Sequence, residues 1–210
     1  MTKIEKKSHI FEREKHDHYV EPIDLGASIF AALALPAGSR VVDPCCGWGR
    51  MVRAARASDL QVLGSDIVPR WNDGPDGPLP DGAPFVEADW FSPEWADSIP
   101  EHFARPAAIV SNPPFDRLEE WLPLALDRAS WIVAAVVPRN FIWGDKRSAA
   151  LEETPFWKFM PMVPRPSMPP GSAILAGQKA TGDTKDYGLA VWLKSYRGAP
   201  QIEWLRRAKP

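Results

Sequence analysis

Four short apolar runs, each closed by a polar side chain, constrain this 210-residue sequence more than any other feature. They are Arg40-Val41-Val42-Asp43, Gln61-Val62-Leu63-Gly64-Ser65-Asp66, Phe85-Val86-Glu87-Ala88-Asp89 and Ala107-Ala108-Ile109-Val110-Ser111-Asn112. Their closing residues stand 23 positions apart each time, enough for a strand, a crossover and the loops between. No residue pattern repeats with that spacing, so it reflects architecture and not an internal sequence repeat. Trp131 to Val137 (WIVAAVV) is the longest apolar run. It lacks polar alternation, as a parallel strand covered on both faces does. Such a series predicts an α/β fold: a Rossmann-like, mostly parallel sheet with helices on both faces. Ligands of such sheets bind beyond the carboxyl ends of the strands, where Asp43, Asp66, Asp89 and Asn112 would collect.

The segments between the strands are uneven. Trp48 to Ala57 reads as a helix with Met51, Val52 and Ala55 on one side. After Asn112, Asp116 followed by Glu119 resembles a capping box, and Leu118, Trp121, Leu122 and Ala125 share a helical face. Pro123 predicts a kink there, or a helix that starts only near Leu122. Residues 69–84 hold five prolines and three glycines, which predicts an extended crossover in place of a helix. Residues 163–186 are a second long irregular stretch. Gly188 to Ser195 reads as a strand and Gln201 to Leu205 as a short final one. No linker separates two cores, so the expected layout is a charged tail over residues 1–15 and a single domain over 16–210.

Composition narrows the class. With 45% apolar residues and ten tryptophans, the chain can bury a core. No apolar stretch approaches the ~20 residues that cross a bilayer, and the charged start MTKIEKKSHIFEREK lacks a signal-peptide core. The two cysteines, Cys45 and Cys46, are adjacent, which suits a reducing cytoplasm better than a disulfide scaffold. Charge is asymmetric: residues 1–138 carry 13 Lys+Arg against 21 Asp+Glu, and residues 139–210 carry 12 against 6. A basic final third fits contact with a polyanion, as it also fits simple solvation. His9, His16 and His18 lie in a charged segment without a Cys or further His at ligand spacing, so no metal site is expected.

Two motifs carry chemistry. Asp43-Pro44-Cys45-Cys46-Gly47-Trp48-Gly49-Arg50 joins a strand to a helix through near-adjacent glycines, which let the backbone turn tightly against a ligand. The dinucleotide fingerprint G-x-G-x-x-G needs a third glycine where Val52 stands. An acid, a bare turn and a helix start suit a ligand carrying an ammonium and a carboxylate. Asp66, at the next strand end, has the chemistry to accept from ribose hydroxyls, and Asp89-Trp90 to accept from an adenine amine and stack on its ring. Asn112-Pro113-Pro114-Phe115 is the most specific signal. Its prolines cannot continue a ladder and make a rigid ledge. On that ledge two carbonyl oxygens, of the Asn112 side chain and the following backbone, can grip both hydrogens of an exocyclic NH2, and Phe115 can stack on its ring.

Together these residues resemble the class I S-adenosylmethionine-dependent methyltransferases, and within them the small phage-type adenine-N6 DNA methyltransferases. Residues 43–49 resemble the cofactor-loop motif DPxxGxG, and residues 112–115 match the amino-methylating motif (D/N/S)PP(Y/F/W). Tyr19-Val20-Glu21-Pro22 resembles the upstream cofactor-contacting segment Y-x-T-P, with Glu21 in place of Thr. The order of these segments is that of the gamma group. The resemblance implies a seven-stranded core and S-adenosylmethionine as cofactor, held by Tyr19, Pro22, Asp43, Pro44, Cys45, Gly47, Gly49, Asp66, Ile67, Asp89 and Trp90. It implies Asn112, Pro113, Pro114 and Phe115 as the catalytic ledge, with in-line attack of the target nitrogen on the sulfonium methyl. It also implies a nucleic acid substrate, DNA ahead of RNA, flipped out if it lies in a duplex, with Arg139, Asn140 and Trp143 as candidates to help. The only room for target contacts is 163–186, with Arg165, Lys179 and Lys185. Enzymes that methylate ribosomal RNA bases or a protein glutamine share the motif, and a cofactor-binding module without catalysis is a further alternative. The sequence sets no oligomeric state.

Overall fold

The computed structural model describes residues 18–77, 84–178 and 185–207; the expected tail, residues 1–15, and Lys179 lie outside them. In chain order the elements are α1 (Leu25–Leu33), β1 (Arg40–Asp43), α2 (Arg50–Ala57), β2 (Gln61–Asp66), β3 (Phe85–Glu87), β4 (Ala108–Ser111), α3 (Leu118–Arg128) and β5 (Ile132–Pro138). Then follow α4 (Asp145–Glu152), β6 (Phe156–Val163), α5 (Gly171–Leu175), β7 (Tyr187–Leu193), β8 (Gln201–Ile202) and β9 (Leu205–Arg206). The sheet runs β3-β2-β1-β4-β5-β7-β6-β8, with β9 also on β6. From β3 to β5 every pairing is parallel. Strand β7 is inserted antiparallel between β5 and β6. Seven strands thus form the body, and the two-residue β8 and β9 extend its edge.

Burial decides these positions. Residues Val133 to Val137 of β5 are all fully buried, and each Val side chain removed from water is worth roughly 1.5–3 kcal/mol. Successive strand residues feed opposite faces. Val41 and Val62 pack with α1 and α2 through Leu25, Ile29, Met51 and Val52. Val42 and Leu63 pack on the other face with Trp90, Trp95, Trp121 and Trp192.

Two helix features and one strand go beyond the sequence pattern. A 3-10 turn at Phe115–Arg117 leads straight into α3, whose N-cap, Arg117, makes no side-chain capping bond. The helix thus begins one residue later than Asp116 as cap would set it. Helix α3 then runs through Pro123. An interior proline costs about 3 kcal/mol, and burial of Leu118, Trp121 and Ala125 against the second cluster outweighs it. Finally, β6 precedes the irregular stretch as a full eight-residue strand that contains Pro161. On its outer side β8 pairs at Lys158 and Phe159, and β9 at Met162 and Val163. Pro161 falls in the gap between those two ladders, where no N–H is required.

Candidate functional site

Strand order reverses between β1 and β4: the chain progresses outward through β2 and β3 on one side and through β5 on the other. The crevice beyond the carboxyl ends at that reversal is where ligands of open parallel sheets bind. Here the two strand ends are tied together, with Ser111 Oγ donating to Asp43 Oδ1 at 2.7 Å. The chain leaves β1 through a turn in which Gly47 and Gly49 take φ of +50° and +77°, conformations open to glycine and strained for most other residues. Its backbone is then strapped to β2. Cys46 N donates to Ser65 O at 2.9 Å, and Gly47 N donates to Asp66 Oδ2 at 2.8 Å. Asp66 Oδ1 in turn accepts from Val68 N at 3.0 Å and Arg70 Nη1 at 3.2 Å.

Asn112 stands one residue beyond β4, beside the upstream segment. Its Nδ2 donates to Tyr19 O at 2.9 Å and to Glu21 Oε2 at 3.1 Å. That segment is held from two directions. Val20 N donates to Pro169 O and Gly171 N to His18 O, at 3.0 and 3.1 Å, so residues 169–171 of the long irregular stretch form a strap over it. From the other side Arg50 Nη1 donates to Glu21 O at 2.6 Å while the rest of its guanidinium grips Asp76 at 2.6 and 3.2 Å. His18 is wedged between two glycines: a Cβ on Gly171 would come within 2.5 Å of its ring, and one on Gly47 within 3.1 Å of Nε2.

These parts enclose one pocket, with an empty volume of about 430 Å³ including its open mouth. Tyr19, Cys45, Gly47, Asp66, Asn112 and Pro114 line it, as do His18, Glu21, Trp48, Arg50 and Arg70. Its electrostatics are those of a desolvated acidic site. Burial pushes the Asp43 carboxyl up to about 8, against the pull of Ser111 and with repulsion from Glu21 and Asp66 adding to the rise. Burial likewise raises Glu21, opposed by its hydrogen bonds and by Arg50. Burial, with Arg70 and Arg50 nearby, drives His18 down to about 4, so its ring is neutral at pH 7. Both cysteines are free, and burial raises both thiols well above their ordinary range, which leaves Cys45 a lining residue and not a nucleophile.

Not every residue named from the sequence reaches the pocket. Asp43 and Pro44 are buried beneath it, and Gly49 caps α2. Ile67, 45% exposed, stands at the mouth side of Asp66, whereas Trp90 is 2% exposed. Trp90 is a core residue and no stacking face: its ring packs on Trp95 and Trp121 under the Arg128 guanidinium. Asp89 Oδ1 accepts from Phe91 N at 3.0 Å, within its own turn. Pro22 faces a neighbouring cavity with Asp24 and Arg207. Pro113 is buried behind the ledge, and Phe115 lies 5.9 Å from the Tyr187 ring. Beside Tyr187, Asp186 holds Arg139 through one carboxylate oxygen and Arg165 through the other, each at 2.7 Å. Trp143, 64% exposed, follows that rim.

The sequence reading missed His18, Arg50 and Arg70. Arg50 left a signal: a cation in the first turn of a helix opposes the helix dipole, so its place at the start of α2 calls for dedicated anionic or carbonyl partners. Among the described residues there is no group of three or more His, Cys, Asp or Glu able to hold a metal ion, and no helix long and apolar enough to cross a membrane.

No family model and no curated protein matches the sequence. Solved structures do match the fold. A type I restriction-modification methyltransferase subunit of Streptococcus thermophilus is 14% identical with a TM-score of 0.60, over 87% of this chain and 46% of that one. A proposed RNA methyltransferase of Pyrococcus horikoshii is 13% identical with a TM-score of 0.61, over 88% of this chain and 92% of that one. Magnesium protoporphyrin IX methyltransferase of Synechocystis, solved with S-adenosylmethionine bound, is 10% identical with a TM-score of 0.53, over 82% and 78%. This chain therefore spans less than half of the restriction-modification subunit it matches. Its fold is that of the class I S-adenosylmethionine-dependent methyltransferases.

Proposed function

We propose that this chain, built on the class I methyltransferase fold, is an S-adenosylmethionine-dependent methyltransferase acting on an exocyclic amino group, and specifically on adenine N6 in DNA. One observation carries the reading: Asn112 and Pro114 of the ledge and the Gly47 turn, two motifs 65 positions apart in sequence, line one pocket at the strand-order reversal. The donor set fits a cationic cofactor. Asp43 is buried with neutral hydrogen-bond partners, Ser111 Oγ and Cys45 N, so a positive ligand relieves it. Among the described residues, His18 Nε2 is buried without a hydrogen-bond partner. A Cβ on Gly47 would crowd His18 at the pocket wall.

The residues that would hold the cofactor are the Gly47 turn, Tyr19, Cys45 and Asp66, which line the pocket, with Asp43 buried beneath them. When bound, S-adenosylmethionine supplies a methyl group on a cationic sulfur. The chain's own part is orientation. Asn112 Oδ1 and the Pro113 carbonyl accept the two hydrogens of the amine, which returns lone-pair density to its nitrogen. Pro113 and Pro114 fix the spacing of those acceptors, and Phe115 offers a ring face to the base. No strong base is needed, because the amine loses its proton only after it has become cationic.

Charge and aromatic placement support a nucleic acid substrate. Arg139 and Arg165, both largely exposed, are paired through Asp186 next to the Phe115–Tyr187 rings, and guanidinium groups so arranged suit backbone phosphates. The restriction-modification neighbour methylates within a DNA-acting system by its name. The experiment is labelled-methyl transfer to DNA, RNA and protein pools, followed by mass spectrometry of the nucleosides. N6-methyladenine in DNA is the expected product; transfer only to RNA or protein would replace the substrate, and no transfer to any pool would defeat the reading. The double variant Arg139→Glu/Arg165→Glu is expected to weaken DNA binding at least about tenfold and to flatten its salt dependence by about two phosphate contacts.

A further inference from the structure

An asparagine that activates an amine must present its oxygen. Turned by half a rotation, the same side chain would set NH2 against NH2, two donors that cannot bond. The shape of the side chain does not choose between these states, so its surroundings must. In this chain both hydrogens of Asn112 Nδ2 are spoken for, one by Tyr19 O at 2.9 Å and one by Glu21 Oε2 at 3.1 Å. Both partners are oxygens, so the reversed amide would face two acceptors with a third. Planarity then sends Oδ1 away from the upstream segment.

The Tyr19 carbonyl belongs to the backbone and is present whatever the side chain. The Glu21 carboxylate is the part written in the sequence, at the position where the related segment commonly carries Thr. Glu21 is 8% exposed, and its own backbone is pinned by Arg50 at 2.6 Å, itself anchored on Asp76. Burying a carboxylate is costly unless hydrogen bonds satisfy it, and Asn112 is the side chain that supplies one.

We infer that Glu21 is a positioning residue that locks the Asn112 amide with its oxygen turned toward the amine substrate. The inference rests on the reading of Asn112 as the acceptor of that amine. Glu21 acts through Asn112 and touches no reacting atom, which separates it from the ledge itself.

Two variants and one spectrum test it. At saturating cofactor and substrate, Glu21→Leu is expected to lower kcat at least about tenfold, a transition-state loss, while the cofactor Kd stays within about threefold. Glu21→Gln, whose side-chain oxygen can take the same hydrogen, is expected to restore kcat to within about threefold of the parent. Parent-level kcat in Glu21→Leu overturns the inference, as does a Glu21→Gln variant no better than Glu21→Leu. The spectrum needs no turnover. The side-chain NH2 pair of Asn112, identified by its loss in Asn112→Ser, is expected to be shifted downfield and to exchange slowly with water in the parent protein. Free-amide shifts and fast exchange overturn the inference. A protected amide together with no methyl transfer to any pool would instead defeat the methyltransferase reading alone.

Discussion

The two walls of the pocket are made in opposite ways. One is local: Gly47, Asp66 and Asn112 stand at or just past the ends of neighbouring parallel strands, over the buried Asp43, and the sheet register sets their spacing. The other is assembled from afar. Residues 18–21 have no strand of their own and are held by Arg50, by the 169–171 strap and by Asn112, the last across 93 positions of chain. A wall of strand tips inherits the rigidity of the core, whereas a wall of straps depends on a few polar contacts, each worth only about 1–3 kcal/mol. The first should therefore fail mainly in its chemistry when it is changed, and the second in its stability as well.

The largest expected effect is on the first wall. Asn112→Ala should lower kcat about a hundredfold to a thousandfold, as loss of a preorganised group does, with a smaller loss of melting temperature from its contacts to Tyr19 and Glu21 and cofactor affinity within a few-fold; calorimetric titration beside labelled-methyl transfer measures both. On the second wall, Arg50→Met removes the grip on Asp76 and on the Glu21 carbonyl together. It should cost about 2–3 kcal/mol of stability, seen as a melting point lower by about 5–10 °C, and should weaken cofactor binding in the same titration. Equal melting points for these two variants would erase the contrast between the walls.

A smaller effect sharpens it. The Asp43 carboxyl is pushed up to about 8 from its ordinary 3.8. Between those values the folded protein holds a proton that the unfolded chain has released. Stability therefore falls as pH rises through that window and levels off above it. Asp43→Asn, which keeps an acceptor for Ser111, should remove that slope and raise the melting point at pH 8, by thermal unfolding across pH 5–9. In the parent, binding of a cationic cofactor near pH 7 should release a proton from Asp43. Calorimetry in buffers of differing ionisation enthalpy reads that proton, and Asp43→Asn should abolish it.

The same contrast explains what was legible in the sequence. Strands β1 and β2 fall on their expected residues, and β4, β5 and the antiparallel β7 within one or two, because a strand covered on both faces must be apolar along most of its length. The Gly47 turn could be read because its conformations favour glycine. Strand β6 could not, since Pro161 argues against a strand unless the gap between β8 and β9 is already known. Trp90 was assigned to the ligand because an aromatic after an acid looks the same whether it faces a pocket or a core; only Trp95, Trp121 and Arg128 decide it. His18 and Arg50 draw their meaning from Gly171 and Asp76, partners that no local pattern connects to them.

The strap over residues 18–20 comes from residues 169–171, and Arg207, 4% exposed in its side chain, closes on Asp24 at the start of α1. During synthesis the ledge and the glycine turn leave the ribosome long before the segment that roofs them. A nascent chain can thus carry both motifs while the pocket they share still lacks the segment that holds its second wall.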